Sequence, residues 1–340
     1  MKSFAILAVI SVAALSAPAD QPTWQELSAR LFTNAVIVWQ APTDKLPKKF
    51  WIYQRELPHV FSATVISNAV IFGSLQSKGF PKPSTNDFFI PEDKGPNYPG
   101  PLAAIFGIRP GDANLYYSLP NYSTGSGEQL PSDETSAARA WKYASQLGLD
   151  PDQSVQERIY THLCDTDQNG QATNHVCGRG VFLSRQLDGV SFFSADNEGT
   201  GAEGFSIEFG SYGQIRFFSF RWSTVERYES QQTASTQEII HCICRHKVIV
   251  LPNPDEEDYF ARLKRLAVAK KLTITKITPY YGEGVFGEVP TNDVPCKFAT
   301  PFAELDAVAD FGKSNATIRL LSPILTSEVI RLLKTPKNSF

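Results

Sequence analysis

The chain has 340 residues, 42% of them hydrophobic and 20% charged, which excludes a disordered tail and leaves room for more than one domain. A net charge of −3 offers no basic face, which excludes a nucleic-acid-binding protein. One Met beside 23 Phe and 12 Tyr predicts cores filled by rigid aromatic rings.

The chain opens with a positive residue, Lys2, and an apolar run from Phe4 to Leu15 broken by Ser11. Ala17-Pro18-Ala19 then places small residues where a signal peptidase reads them. This is the layout of a cleaved secretory signal, residues 1–19, with Asp20 as the mature start. The run falls short of the roughly 20 apolar residues that a membrane span needs. The mature chain is therefore expected to be soluble, and secreted or periplasmic.

Residues 20–130 form an expected N-terminal α/β segment. Trp24–Val38 reads as a helix, Phe50–Arg55 as a strand ended by Pro58, and Val60–Leu75 as a second helix. Prolines and glycines crowd residues 79–100, which predicts a long irregular stretch, and Leu115–Leu119 reads as a strand before the polar loop Asn121–Gly127.

From Pro131 the pattern sharpens. Ser132 caps a predicted helix with Asp133 and Glu134 in its first turn. Ala137, Ala140, Trp141, Ala144 and Leu147 share a face of it, and Gly148 is its stop. Glu157–Asp165 and Val176–Gln186 are strands joined through the hairpin signal Asn169-Gly170. Phe205–Phe209 and Gln214–Trp222 make a second pair.

The unit then repeats. Ser235-Thr236-Gln237-Glu238 is a capping box that opens a helix to about His246. A second helix follows Asn253-Pro254, with Asp255 to Asp258 at its start and Lys264, Arg265, Lys270 and Lys271 toward its end. Strands are expected at Leu272–Tyr281, Cys296–Phe302, Leu305–Phe311 and Ala316–Leu321. The fold class is thus α+β: two successive helix-plus-four-stranded antiparallel modules, 131–230 and 231–340, after the N-terminal segment.

Several strings imitate chemistry. Gly282-Glu283-Gly284-Val285-Phe286-Gly287-Glu288-Val289 matches G-x-G-x-x-G, and Asp310-Phe311-Gly312 matches D-F-G. A dinucleotide loop must open a helix, which Pro290 and Pro295 forbid. A kinase needs H-R-D between the two motifs and a large lobe after them, yet only 28 residues follow Gly312. Both strings read as turns. Asp165-Thr166-Asp167-Gln168-Asn169-Gly170 resembles half a calcium loop, but Val176 stands where the bidentate Glu belongs, so a polar hairpin turn is expected.

The five cysteines are Cys164, Cys177, Cys242, Cys244 and Cys296, and the odd count leaves at least one thiol over. Cys164 and Cys177 bracket the hairpin turn and are a candidate disulfide worth ~3 kcal/mol in the chain-entropy model, with two separately buried thiols as the alternative. In His241-Cys242-Ile243-Cys244-Arg245-His246 the two cysteines would point about 200° apart on a helix, too far to share a metal. Cys242 as a core residue, or Cys244 paired with Cys296, is the expectation there. His162 and His175 are candidate cross-strand neighbours, and His59 stands alone. Glu283 with Glu288 is a candidate acidic pair. No G-x-S-x-G elbow or H-E-x-x-H helix occurs. Asn121-Tyr122-Ser123 and Asn315-Ala316-Thr317 fit the N-glycosylation pattern.

From Gly180 to Ile240 a phrase runs through Val181-Phe182-Leu183-Ser184-Arg185-Gln186-Leu187-Asp188-Gly189-Val190, then Gly204-Phe205-Ser206-Ile207-Glu208-Phe209, then Gly213-Gln214-Ile215 and the capping box. It resembles bacterial extracytoplasmic PepSY-type and YycI-like regulatory domains. The resemblance implies tandem α+β modules that bind or inhibit partner proteins without catalytic residues, and it carries over no site. The expectation is an exported, non-catalytic binding or regulatory protein with an unknown protein partner, no cofactor and no metal. A secreted hydrolase with dispersed acidic residues is the rival, and a structural envelope protein the third reading.

Overall fold

The computed structural model of the chain describes residues 31–44, 46–72, 105–118, 129–168, 171–193, 203–252, 259–283 and 297–334. The protein is α+β with two β-sheets. None of the described helices is long and apolar enough to cross a membrane. The expected signal, the irregular stretch 79–100 and the loop 121–127 lie outside the described residues.

Strand β1 (Val36–Trp39) corrects the end of the expected Trp24–Val38 helix. Val36, Ile37 and Val38 are β-branched, and Lys271–Ile274 hold them in a parallel ladder. Residues 24–30 of that expectation lie outside the description. Strand β2 (Lys49–Glu56) and helix α1 (Ala63–Phe72) fall where a strand and a helix were expected. Ser62 Oγ accepts a hydrogen bond from the Val65 amide at 3.2 Å at the start of α1. Strand β3 (Ile105–Arg109) is unforeseen, and β4 (Asn114–Ser118) covers the expected strand.

Helix α2 (Asp133–Gln146) has the two ends its sequence encodes. Ser132 Oγ accepts from the Thr135 amide at 3.2 Å. Gly148 takes φ +88, letting its amide reach the Ser145 carbonyl while that of Leu149 reaches Ala144. Strands β5 (Ser154–Gln168) and β6 (Gln171–Leu187) pair antiparallel out to Gln168↔Gln171, leaving two residues to connect them. Strands β7 (Val190–Ser191), β8 (Gly204–Phe209) and β9 (Ile215–Arg221) follow.

Strand β10 (Thr224–Gln232) was not legible, being polar and mostly exposed. Helix α3 (Thr236–Cys244) opens on the expected capping box: the Ser235 side chain accepts from the Glu238 amide, and the Glu238 carboxylate accepts from the Ser235 amide at 2.7 Å. Strand β11 (Ile249–Val250), helix α4 (Tyr259–Leu266) and strand β12 (Lys271–Glu283) come next. Strand β13 (Phe298–Asp310) corrects the two strands expected at Cys296–Phe302 and Leu305–Phe311. Ala303 and Glu304, where the break was expected, pair with Pro279 and Thr278 on one side and with Ser322 and Leu321 on the other. Strand β14 (Asn315–Pro323) and an unforeseen helix, α5 (Thr326–Lys334), complete the description.

The chain divides into two compact units. One gathers Met1–Tyr53, Arg227–Val289 and Ala299–Phe340, and the other Gln54–Glu226 with Pro290–Phe298. We call them the split unit and the central unit. Both sheets draw on the region expected as a separate N-terminal segment.

The central sheet runs β3-β4-β9-β8-β6-β5, with β7 on β6. It holds the four expected strands side by side and extends them by β4 and β3. One face packs under α1 and α2 through Ile66, Ala140, Ala144, Leu147, Val181, Leu183, Phe205, Ile207, Phe218 and Phe220. The split unit's sheet runs β1-β12-β13-β14-β11, joined also by β2 and β10. Leu272, Ile274, Leu305, Ala307, Ile318 and Leu320 are buried there, and α3 packs on β14 and α5.

Candidate functional site

In a strand, alternate residues face opposite ways, so β6 sends Val181 and Leu183 to the helix-covered core and Gly178, Gly180 and Phe182 to the other face. The glycines leave hollows that neighbouring strands fill. A Cβ on Gly180 would lie 2.0 Å from the Tyr160 ring, and one on Gly107 would lie 2.4 Å from the Tyr116 ring. Each tyrosine is the glycine's direct partner across the ladder, so the rings lie flat on the sheet. Tyr160 Oη stands 3.4 Å from Ser206 Oγ. The Arg109 guanidinium covers the Tyr116 ring at 5.2 Å, and that of Arg158 covers Phe182 at 5.3 Å. The result is a face of alternating aromatic and guanidinium groups.

At one end of this face Gly178 makes room for a buried charge group. A Cβ there would meet Glu208 Oε1 at 2.4 Å and Arg216 Nη1 at 3.2 Å. His162 Nδ1 lies 3.3 Å from Glu208 Oε2, and Arg216 Nη1 lies 3.7 Å from Oε1 and donates to the Cys177 carbonyl. This corrects the proposed pairing of His162 with His175. His162 stands opposite Gly178 and His175 opposite Cys164, and the partner of His162 is Glu208.

Because the hollow at Gly180 is already full, Gly180→Val is expected to expel the Tyr160 ring and cost about 1–3 kcal/mol. Urea unfolding and the loss of nuclear Overhauser contacts between the Tyr160 ring and position 180 would check it. Unchanged contacts would mean that the hollow is not what holds the ring.

A second charge cluster sits wholly inside the central unit. Arg55 Nε donates to Glu203 Oε1 at 2.9 Å, and Arg185 Nη1 to Glu203 Oε2 at 2.5 Å. Ser223 donates its hydroxyl to Glu203 and accepts from Arg55 Nε at 3.0 Å, while Arg185 also reaches the Ser223 carbonyl at 2.6 Å. The Trp222 ring lies 4.3 Å under the Arg185 guanidinium. Burial alone would raise the proton affinity of Glu203, but the two guanidiniums and the Ser223 hydroxyl outweigh it and hold the carboxyl below its ordinary range. A carboxylate so fully held is a structural tie between distant chain segments. His59, nearby, is lowered chiefly by burial.

In the split unit, Cys242 is buried and Cys244 exposed on α3, the divergence expected from helix geometry. Burial pushes the Cys242 thiol up to about 12, so it is a core residue. Cys244 is a free thiol, which corrects its alternative pairing with Cys296. Among the described residues no three His, Cys, Asp or Glu side chains are grouped to hold a metal. Glu328 on α5 is pushed up to about 7 by burial, against the partial relief of Arg331 3.8 Å away. Glu304 on β13 is raised by burial and opposed by Arg319 at 3.2 Å. Neither carboxyl acts on the other.

The Asp310-Phe311-Gly312 string is a turn between β13 and β14: Gly312 has φ +87, and its amide donates to Asp310 Oδ1 at 2.6 Å. Of the glycine-rich string, Gly282 continues β12 opposite Thr300 and 284–289 lie outside the description, as does the side chain of Glu283. Asn315 opens β14 at an exposed position, whereas Asn121 is not described. In the β5–β6 hairpin, Cys164 pairs in register with His175, and Cys177 falls at the irregularity between the His162↔Gly178 and Leu163↔Val176 pairs. Sequence reasoning missed Arg55, Glu203, Glu208 and Arg216. The alternation Gly178-x-Gly180 inside a strand was the available signal that other groups approach the backbone there.

No protein-family model matches the chain, and no curated protein matches it.

Proposed function

We propose that the chain is an exported, non-catalytic binding or regulatory protein that engages a protein partner through the glycine-hollowed face of its central sheet. The observation that carries this reading is the composition of that face. Tyr116 and Tyr160 lie flat and half-buried beside Arg109 and Arg158, on the side away from α1 and α2. Tyrosine and arginine are the side chains that dominate binding energy at protein interfaces, because they combine large contact area with directional polar groups. Rings already fixed in hollows lose little entropy on binding.

The rival hydrolase reading needs two cooperating acids, and among the described residues the two carboxyls with raised proton affinity, Glu304 and Glu328, do not act on each other. Export rests on the N-terminal layout of Lys2, the apolar run and Ala17-Pro18-Ala19. The finer fold reading is that of related modules of the PepSY type. It is supported by a capped helix followed by consecutive antiparallel strands in each unit: α2 with β5, β6, β8 and β9, and α3 with β12, β13 and β14.

An oxidising compartment also fits a Cys164–Cys177 disulfide across the hairpin. Its support is the register, which brings the two strands together around residues 162–178, and the fact that Cys177 is not among the free thiols of the described residues, which are Cys242 and Cys244. Peptide mapping without reduction should recover Cys164 and Cys177 in one linked fragment. Alkylation of Cys177 in the folded, unreduced protein would contradict the bridge.

The test of function is affinity capture with residues 20–340 from envelope and secreted fractions, repeated with Arg109→Glu and Tyr116→Ser. A stoichiometric partner that survives salt and is lost with both variants supports the reading. A partner indifferent to both variants removes this face from it, and no partner with turnover of ester, glycan or peptide substrates would overturn it.

A further inference from the structure

A different part of the molecule carries a separate inference. Between α4 and the β13–β14 turn lies a pocket of about 230 Å³, well inside the split unit. Arg262, Arg265, Leu266, Phe311 and Thr317 line it, and among the described residues no carboxylate does. Arg262 and Arg265 are three apart on α4, so helix geometry sets them on adjacent rows of one surface. Arg262 is nine-tenths buried, and its Nη2 donates to the Thr317 carbonyl at 3.3 Å. Arg265 lies over the Phe311 ring at 4.5 Å, and its Nη2 donates to Ser314 Oγ at 3.1 Å.

Among the described residues Arg265 has no carboxylate partner, although it is stacked and hydrogen-bonded into one orientation. The nearest chain acid at the turn, Asp310, spends an oxygen on the Gly312 amide. Lys270 lies against Gly312, and Lys313 is the next residue of the turn. The chain as a whole carries a net charge of −3, so this concentration of cations runs against its average.

We propose that this pocket binds a phosphoryl dianion, either inorganic phosphate or the head of a small phosphomonoester. Planar guanidinium forks match phosphate oxygens two at a time, and a fork fixed by stacking on one side and a hydroxyl on the other has paid its ordering cost before the ligand arrives. The volume is below the roughly 300–1,000 Å³ of pockets that hold drug-sized molecules, which limits the ligand to a single anionic head and a short appendage. The bound anion would tie α4 to the β13–β14 turn.

The experiment is a titration of the full chain with inorganic phosphate at constant ionic strength, followed by nuclear magnetic resonance of the Arg265 side-chain Nε–H and the amides of Ser314 to Ile318. Saturable shifts at these positions are expected, with affinity weakened by about tenfold or more in Arg265→Ala. Arg265→Lys should recover little, because a point charge does not reproduce the fork. Phenyl phosphate separates the two sources of the group, binding comparably if the head alone is read. Absence of saturable shifts in the millimolar range overturns the proposal. So do equal shifts with acetate or chloride, or equal affinity in Arg265→Ala. Arg265 is exposed, so its replacement is not expected to unfold the chain, and unchanged amide spectra elsewhere would verify that.

Discussion

Glu203→Gln is expected to destabilise the central unit by about 3–5 kcal/mol, the range for removing one partner of a buried ion pair. The carboxylate is fully buried, and it receives Arg55, Arg185 and Ser223 together. Loss of its charge leaves two guanidiniums in a low-dielectric interior without the anion that gathers them. Arg185→Met should cost less, because Arg55 and Ser223 still hold Glu203. The same tie sets a limit in acid. The folded proton affinity of Glu203 lies below its unfolded value of about 4.5, so its contribution is present above that pH and is lost as pH falls through the folded value. Urea unfolding of wild type and both variants at neutral pH would check the order. A Glu203→Gln midpoint no lower than that of Arg185→Met would show that charge balance is not what the cluster supplies.

Glu328 predicts a pH response of opposite sign. Its carboxyl is held at about 7 by burial on α5, and its Oε2 is buried without a hydrogen-bond partner among the described residues. The folded chain therefore keeps a proton that the unfolded chain releases near its ordinary value of 4.5. Stability is full below about 4.5, falls as pH rises toward 7, and levels above it, for a total of about 3 kcal/mol. Glu328→Gln removes the titration while keeping the shape of the side chain. It should raise stability at pH 8 by up to about this amount and leave it nearly unchanged at pH 4. Thermal melting at both pH values tests this, and equal gains at the two would point to packing instead. Together, Glu203 and Glu328 predict a stability maximum in the mildly acidic range.

What was legible in the sequence is local. Ser132 with Gly148, and the box at Ser235 and Glu238, each encode their geometry within a few residues and fall where expected, and the strands flanking Asn169-Gly170 pair out to Gln168↔Gln171. What escaped depends on distant partners. Val36–Trp39 forms a strand because Lys271–Ile274 lie beside it, and nothing within its own window says so. The break expected at Ala303 and Glu304 is overridden by strands β12 and β14, which pair with both residues from either side. The ties of Glu203 come from positions 55, 185 and 223, so no spacing rule could have assembled them. The glycine-hollowed face was half legible: the glycines of β6 are visible in sequence, but the rings that fill their hollows belong to other strands.

The order in which the units are encoded has a consequence during synthesis. Every strand of the central sheet has left the ribosome by Arg221, so that sheet can close early. The split unit must wait, since β1 finds its mate only when Lys271–Ile274 emerge, and its ladder is finished at Pro323. Until then the nascent chain displays Val36–Trp39 as an apolar strand with both edges open, the kind of segment that aggregates or recruits a chaperone. Translation that stops between Arg221 and Lys271 would release a chain with one sound half and one adhesive end, which makes its fate a question for quality control.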